Sequence, residues 1–208
     1  IGSAPGGGGV LLQYDNITWQ VMIITVWPGM YYGWGAKDGK YRFQWTFPIV
    51  ISPHDPKILD AAANIAFRSV DEGTSWEPFS PDVTRNDVTK MEPSGGPITK
   101  DTTGAEFYCT IFAFVESPHE RGVFWAGTDD GLVHISMNDG KTWEDVTPPD
   151  LPEWTTISMI EPSEFNPGTA YLTGIRYKLD DYAPYLYKTE NYGKSWKKLD
   201  SNIFSEEF

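Results

Sequence analysis

Short runs rich in β-branched and aromatic residues recur along the chain, each closed by Gly, Pro, Asn or Asp. Examples are YRFQWTFPIVIS (41–52), KILDAAANIAFRS (57–69), FYCTIFAFVES (107–117), VFWAGTDDGLVHIS (123–136), WTTISMIE (154–161) and YLYKT (185–189). Apolar runs of this length between turn formers predict strands. One turn pattern occurs three times: SVDEGTSW (69–76), SMNDGKTW (136–143) and TENYGKSW (189–196). The shared form is Ser/Thr, any residue, Asp/Asn, any residue, Gly, any residue, Ser/Thr, Trp. Five restricted positions used three times mark an internal repeat.

The repeated turn has a physical reading. An Asp or Asn side chain accepts hydrogen bonds from nearby backbone N–H groups, and glycine supplies the left-handed residue. The first Ser/Thr bonds the backbone locally, and the Trp packs its ring while its indole N–H finds an acceptor. Ser69, Asp71, Gly73, Trp76, Ser136, Asn138, Gly140, Trp143, Thr189, Asn191, Gly193 and Trp196 are therefore expected to be structural staples.

Before each turn lie a β-rich run, a Pro turn (Pro53, Pro118, Pro162) and a further pair of β-prone runs. One unit thus reads as four short antiparallel strands over roughly 50 residues, the signature of a propeller blade. The predicted fold is all-β: a β-propeller segment of three complete four-stranded blades with partial blades at both ends, part of a larger ring. A small four-bladed ring closed by residues 1–41 is the alternative. Residues 1–41 are assigned to the outer hairpin of a preceding blade and a linker. Residues 42–80, 107–147 and 148–208 form the blades, the last with an exit segment, and 81–106 is a long inter-blade loop. The third blade carries an insertion, IRYKLDDYAP (175–184).

The turns and the wording around them, including YRFQWTFPIVISPHDP, PSGGPITKD and YLYKTENYGKSW, resemble the Asp-box (BNR) repeat proteins. That group includes sialidases, xyloglucan-type hydrolases and the sortilin/VPS10 receptors. The likeness is strongest to large bacterial sortilin-like proteins, also named BNR-repeat glycosyl hydrolases, and it covers residues 40–200. It implies a β-propeller and an extracellular, periplasmic or cell-surface location. It leaves activity open, because one fold hosts many functions.

Composition narrows the partners. With 29 acidic against 16 basic residues the net charge is −13, which disfavours nucleic acid and anionic membranes. No apolar run approaches the ~18 residues of a membrane helix, so no membrane insertion is expected. IGSAPGGGG lacks the basic and apolar regions of a signal peptide. The single cysteine, Cys109, reads as a core residue. The glycosylation sequon Asn16-Ile17-Thr18 carries no argument alone.

Catalytic constellations are weak. The closest context for a sialidase arginine is Arg42 in YRFQW, without the Ile-Pro that follows it in that family. Asp101, Glu106, Asp129, Asp130, Asp180 and Asp181 are loop carboxylates of the kind a glycosidase pairs. TDDG (128–131) reads more simply as a hairpin turn. His54, His119 and His134 are scattered, with the first two in equivalent SPH turns. No catalytic residue, metal site or cofactor is assigned.

Two surfaces remain as binding candidates. The long loop offers Arg85, Asn86, Asp87, Lys100 and Asp101, and the insertion offers Tyr177, Tyr182 and Tyr185. The expected function is a non-catalytic binding or assembly module within a larger exported protein. Its partner would be a protein or the rest of its own propeller, with carbohydrate as a further class. The alternative is part of a glycoside hydrolase propeller whose catalytic carboxylates lie partly outside this chain.

Overall fold

The computed structural model describes residues 2–3, 9–29, 31–96 and 98–199. The expected exit segment, SNIFSEEF, lies outside the described residues. The chain divides into two compact units, Ile1–Asp82 with Asn86–Thr110, and Val83–Arg85 with Ile111–Phe208.

The first unit contains two antiparallel sheets. Strands β1 (Gly2–Ser3), β2 (Leu11–Tyr14) and β3 (Val21–Ile23) form a three-stranded sheet. Strands β4 (Ile49–Ile51), β5 (Leu59–Ala62), β6 (Ala66–Ser69) and β7 (Glu77–Pro78) form a four-stranded meander. Their common core holds Leu11, Ile24, Val26, Phe43 and Phe67. On β5 and β6, Asp60 and Arg68 are register partners, and the carboxylate takes two bonds from the guanidinium at 2.8 and 3.0 Å.

The second unit holds two further four-stranded meanders. One is β8 (Ile111–Glu116), β9 (Phe124–Thr128), β10 (Val133–Ser136) and β11 (Glu144–Asp145). The other is β12 (Thr156–Pro162), β13 (Ala170–Arg176), β14 (Asp181–Thr189) and β15 (Lys197–Lys198). Strand β12 packs against β8 and β9, around a core that includes Trp125, Val133, Ile157, Leu172 and Tyr187. Each repeated turn joins the third strand of its sheet to the fourth.

The sequence places a strand over Tyr41–Ser52, but only Ile49–Ile51 pairs. The reason lies in the polar residues upstream. Arg42 and Gln44 are buried and spend their side chains on backbone carbonyls, with Arg42 Nε donating to Cys109 O and Gln44 Nε2 to Phe107 O. The Arg42 N–H is itself taken by Asn64 Oδ1. These side chains replace a ladder, since buried backbone groups must be paired by some partner. The expected insertion at 175–184 is a long β13–β14 hairpin that ends in a 3-10 turn at Tyr177–Leu179.

Candidate functional site

The repeated turn is built the same way three times. Its Ser or Thr is buried and accepts from the glycine N–H: Gly73 to Ser69, Gly140 to Ser136 and Gly193 to Thr189, at 2.8, 2.9 and 2.9 Å. The same hydroxyl donates to Asp71, Asn138 or Asn191. That side chain accepts in turn from the N–H of Ser75, Thr142 or Ser195, each at 2.9 Å. The residue before each glycine, Glu72, Asp139 or Tyr192, is also left-handed, with φ near 60°. Such geometry is rare outside glycine and persists only where the surroundings enforce it. The hydrogen bond from the Ser75 hydroxyl, followed by that from its N–H, holds the Asp71 carboxyl below its ordinary range.

The tryptophans differ among the copies. Trp76 Nε1 donates to Ile24 O at 3.2 Å, and Trp196 Nε1 to Val146 O at 2.6 Å, both beyond their own sheets. Trp143 Nε1 donates to Gly140 O of its own turn at 3.0 Å. In the third copy Asn191, Ser195 and Trp196 also line an open surface cavity of about 640 Å³, together with Tyr171 and Lys188.

The long segment after β7 places its expected binding residues at separate points. Arg85 belongs to the second unit, where its N–H and Nε bond Asp130 and its Nη1 reaches Glu153 at 3.2 Å. Asp87 caps a 3-10 turn at Val88–Lys90, accepting from the hydroxyl and then the N–H of Thr89, which hold its carboxyl below the ordinary range. Asn86 has φ 51° and prepares that turn. The Asp101 N–H donates to Ser94 O and its carbonyl accepts from the Ser94 hydroxyl, and Lys100 lines a separate depression with Lys37, Asp38 and Glu92. These five residues form no common site.

The tyrosine-bearing hairpin does converge. Gly174 to Tyr177 and Asp181 to Pro184 line a cavity of about 280 Å³. Asp181 accepts from Arg176 Nη1 at 2.8 Å, Tyr185 Oη at 2.7 Å and Ala183 N–H at 3.1 Å. The Tyr185 bond first, then the Ala183 N–H, and then Arg176 hold its carboxyl below the usual range. Burial pushes the Tyr185 hydroxyl up, and its bond to Asp181 adds to that. Tyr185 is buried, whereas Tyr177 and Tyr182 stand 54% and 63% exposed at the rim. A register shift between Gly174 and Arg176 opens this end of the hairpin.

A second aromatic surface escaped the sequence reading. Trp45, 42% exposed, donates its indole N–H to Glu106, which also accepts from Thr103. Three residues upstream, Arg42 joins a part-buried network in which Asp82 takes Arg42 Nη2 at 2.6 Å and Asn64 Nδ2 at 2.8 Å. The clue was the Arg/Gln alternation in YRFQW, which reads equally well as the polar side of a strand.

The other loop carboxylates are tied into the fold. Asp129 and Asp130 are buried, and Asp130 takes the Thr128 hydroxyl as well as the Arg85 N–H. Asp180 is the left-handed residue closing the 3-10 turn. Arg42, the sialidase-like candidate, is ion-paired with Asp82 in the interior. His54 and His119 both sit in turns where their N–H meets the hydroxyl of Ser52 or Ser117. His134 is lowered by burial, with Asp145 and Asp130 opposing that shift, and its Nδ1 has no partner. Among the described residues no three His, Cys, Asp or Glu side chains cluster as metal ligands. No helix among them is long and apolar enough to cross a membrane.

No family model matches the chain, and no curated protein matches it. Solved structures do. The GH74 enzyme of Niastella koreensis aligns with a TM-score of 0.59 at 13% identity, over 96% of this chain and 27% of that one. The GH74 xyloglucanase of Xanthomonas campestris aligns at 0.53 and 16% identity, over 96% of this chain and 30% of that one. YCF48 bound to D1 peptide scores 0.44 at 17% identity, covering 76% and 42%. The chain thus spans less than a third of the length of the two GH74 structures. Those proteins are β-propellers, and with three four-stranded antiparallel meanders this chain has the fold of an all-β propeller segment.

Proposed function

We propose that this chain is a non-catalytic binding or assembly module: a sortilin-like Asp-box propeller segment within a larger exported protein. One observation carries the reading. The carboxylates best placed in sequence to act as a glycosidase pair are each engaged as hydrogen-bond acceptors by neighbouring side chains. Asp130 holds Arg85 and Thr128, Asp181 holds Arg176 and Tyr185, and Glu106 holds Trp45 and Thr103. A glycosidase needs one carboxyl with a raised pKa to protonate the leaving group. Asp181 is shifted the opposite way and does not fit the role of that acid.

The exposed aromatic surfaces supply the binding capacity, and Tyr is well suited to contact because it brings large area at little entropy cost. Export is part of the same proposal and follows from the family resemblance. The competing reading is a hydrolase, and the xyloglucanase neighbour makes xyloglucan the substrate to try. Incubation of the full chain with xyloglucan and arabinan, followed by reducing-end release, tests it. No release above buffer is expected. Turnover that disappears in Asp181→Asn or Glu106→Gln would replace the binding reading with the hydrolase.

A further inference from the structure

We infer that the open cavity beside the third repeated turn binds a ligand through an oxyanion, a carboxylate or its chemical equivalent, carried next to a flat apolar portion. This names a ligand class for the binding reading and rests on it.

The cavity measures about 640 Å³, and Tyr171, Lys188, Glu190, Ser195, Trp196 and Lys197 are in its lining. Tyr171, Lys188 and Lys197 are register partners across β13, β14 and β15, so their side chains share one face of the sheet. Lys188 directly precedes the first residue of its turn, as Arg68 does in the first copy. The row through Arg68 is Asp60, Arg68 and Glu77, a cation between two acids. In the third meander a ring takes the place of the inner acid and a second cation that of the outer one. Like charges directly opposite across a strand pair destabilise it. An anion seated between Lys188 and Lys197 removes that repulsion.

The cavity holds a single acid for these two ammonium groups. Glu190 accepts from Lys188 at 2.6 Å and is exposed, whereas Lys197 bonds none of the described residues. The bond and charge of Lys188, and then the charge of Lys197, hold the Glu190 carboxyl below its ordinary range. Residues 188–198 carry four lysines and that one acid, in a chain with 29 acidic against 16 basic residues.

The turn adds a donor. In the first copy the Ser75 hydroxyl donates to Asp71 at 2.7 Å. Asn191 stands at that place in the third copy, and its Nδ2 donates to Ser195 Oγ at 2.9 Å. This reversal leaves the Ser195 hydroxyl proton without an acceptor among the described residues. Two ammonium groups and a hydroxyl make a lining rich in donors, which matches the acceptor oxygens of an oxyanion. An uncharged ligand would leave that excess unmatched. Tyr171, 39% exposed, and the half-buried Trp196 supply flat apolar surface beside it.

Titration of the full 208-residue chain with benzoate, benzamide and inorganic phosphate, followed by NMR, tests the site. Benzoate should saturate, with shifts centred on residues 188–198. Benzamide, its uncharged counterpart, should not, and phosphate should bind more weakly for want of a ring. Lys197→Gln should weaken benzoate about threefold, the size of an exposed ion pair, and Glu190→Gln should tighten it by about as much because it frees Lys188. Lys141→Gln, at the turn of the second copy, should change nothing. Benzamide or phosphate binding as tightly as benzoate, no saturable shifts, or either cavity variant without effect would overturn the site. Those outcomes leave the non-catalytic reading standing, whereas reducing-end release from xyloglucan would overturn that reading whatever the titration gives.

Discussion

Trp76 and Trp196 send their indole N–H groups away from their own turns, to Ile24 O and Val146 O, whereas Trp143 returns its own to Gly140 O. The eight-residue pattern is otherwise shared, down to the 2.8–2.9 Å bond from the glycine N–H to the Ser/Thr oxygen. The difference separates two jobs. Closing the turn is local and is set by Ser/Thr, Asp/Asn and Gly. Anchoring is not local, and it depends on what the ring meets. Trp196 lies edge-on to Trp125 at 6.1 Å, while Trp143 tilts against Phe114 at 6.3 Å. The glycines of the first and third copies carry the same message, because a Cβ on Gly73 or Gly193 would lie 2.7 Å from Ile24 or Val146.

The comparison breaks or sharpens under substitution. Trp196→Ala removes a half-buried indole and leaves Val146 O without its donor, so urea unfolding should show a loss of about 3 kcal/mol. Trp76→Ala should behave alike. Trp143→Ala should cost about 1 kcal/mol less, because its bond lies within the turn. Equal losses at all three would remove the distinction between anchoring and closing.

Gly193→Ala should come next, at about 2 kcal/mol, since φ is 80° there and the new methyl meets Val146. A neutral outcome would mean that the approach to Val146 is loose.

The smallest effect is expected at Asp71. The other copies carry Asn at this place, where Nδ2 also donates to Thr142 or Ser195. Asp71→Asn should therefore leave the urea unfolding midpoint at pH 7 nearly unchanged. Acid is where the two should part. The Asp71 carboxyl is depressed in the folded chain, so it stabilises above the ordinary carboxylate value of about 3.9. That contribution is lost as the pH falls through the folded value. Acid melts should show a shallower decline for the Asn variant than for the wild type, and parallel curves would contradict the assigned hydrogen bonds.

The same contrast explains what could be read from the sequence. The turns were legible because the bonds that close them, from Ser/Thr, Asp/Asn and the glycine N–H, join residues no more than four apart. The four-stranded meanders followed from them, as did the hairpin at TDDG. Tyr41–Phe47 was misread because its partners, Phe107 and Cys109, are more than sixty residues away and no local pattern announces them. The candidate site was half visible. The tyrosines of the insertion stood out by composition, but only the register shift and the Arg176–Asp181 pair show which of them remain available. The long-loop residues looked like a cluster and are dispersed, because Arg85 folds against Asp130 while Lys100 and Asp101 stay with the first unit.

Hydrogen exchange of the indole N–H groups, followed by NMR, tests the central claim most directly. Trp76 and Trp196 should exchange slowly, at rates set by the unfolding of the sheets they join, with Trp143 faster through opening of its own turn. Rapid, unprotected exchange at Trp76 and Trp196 would contradict it.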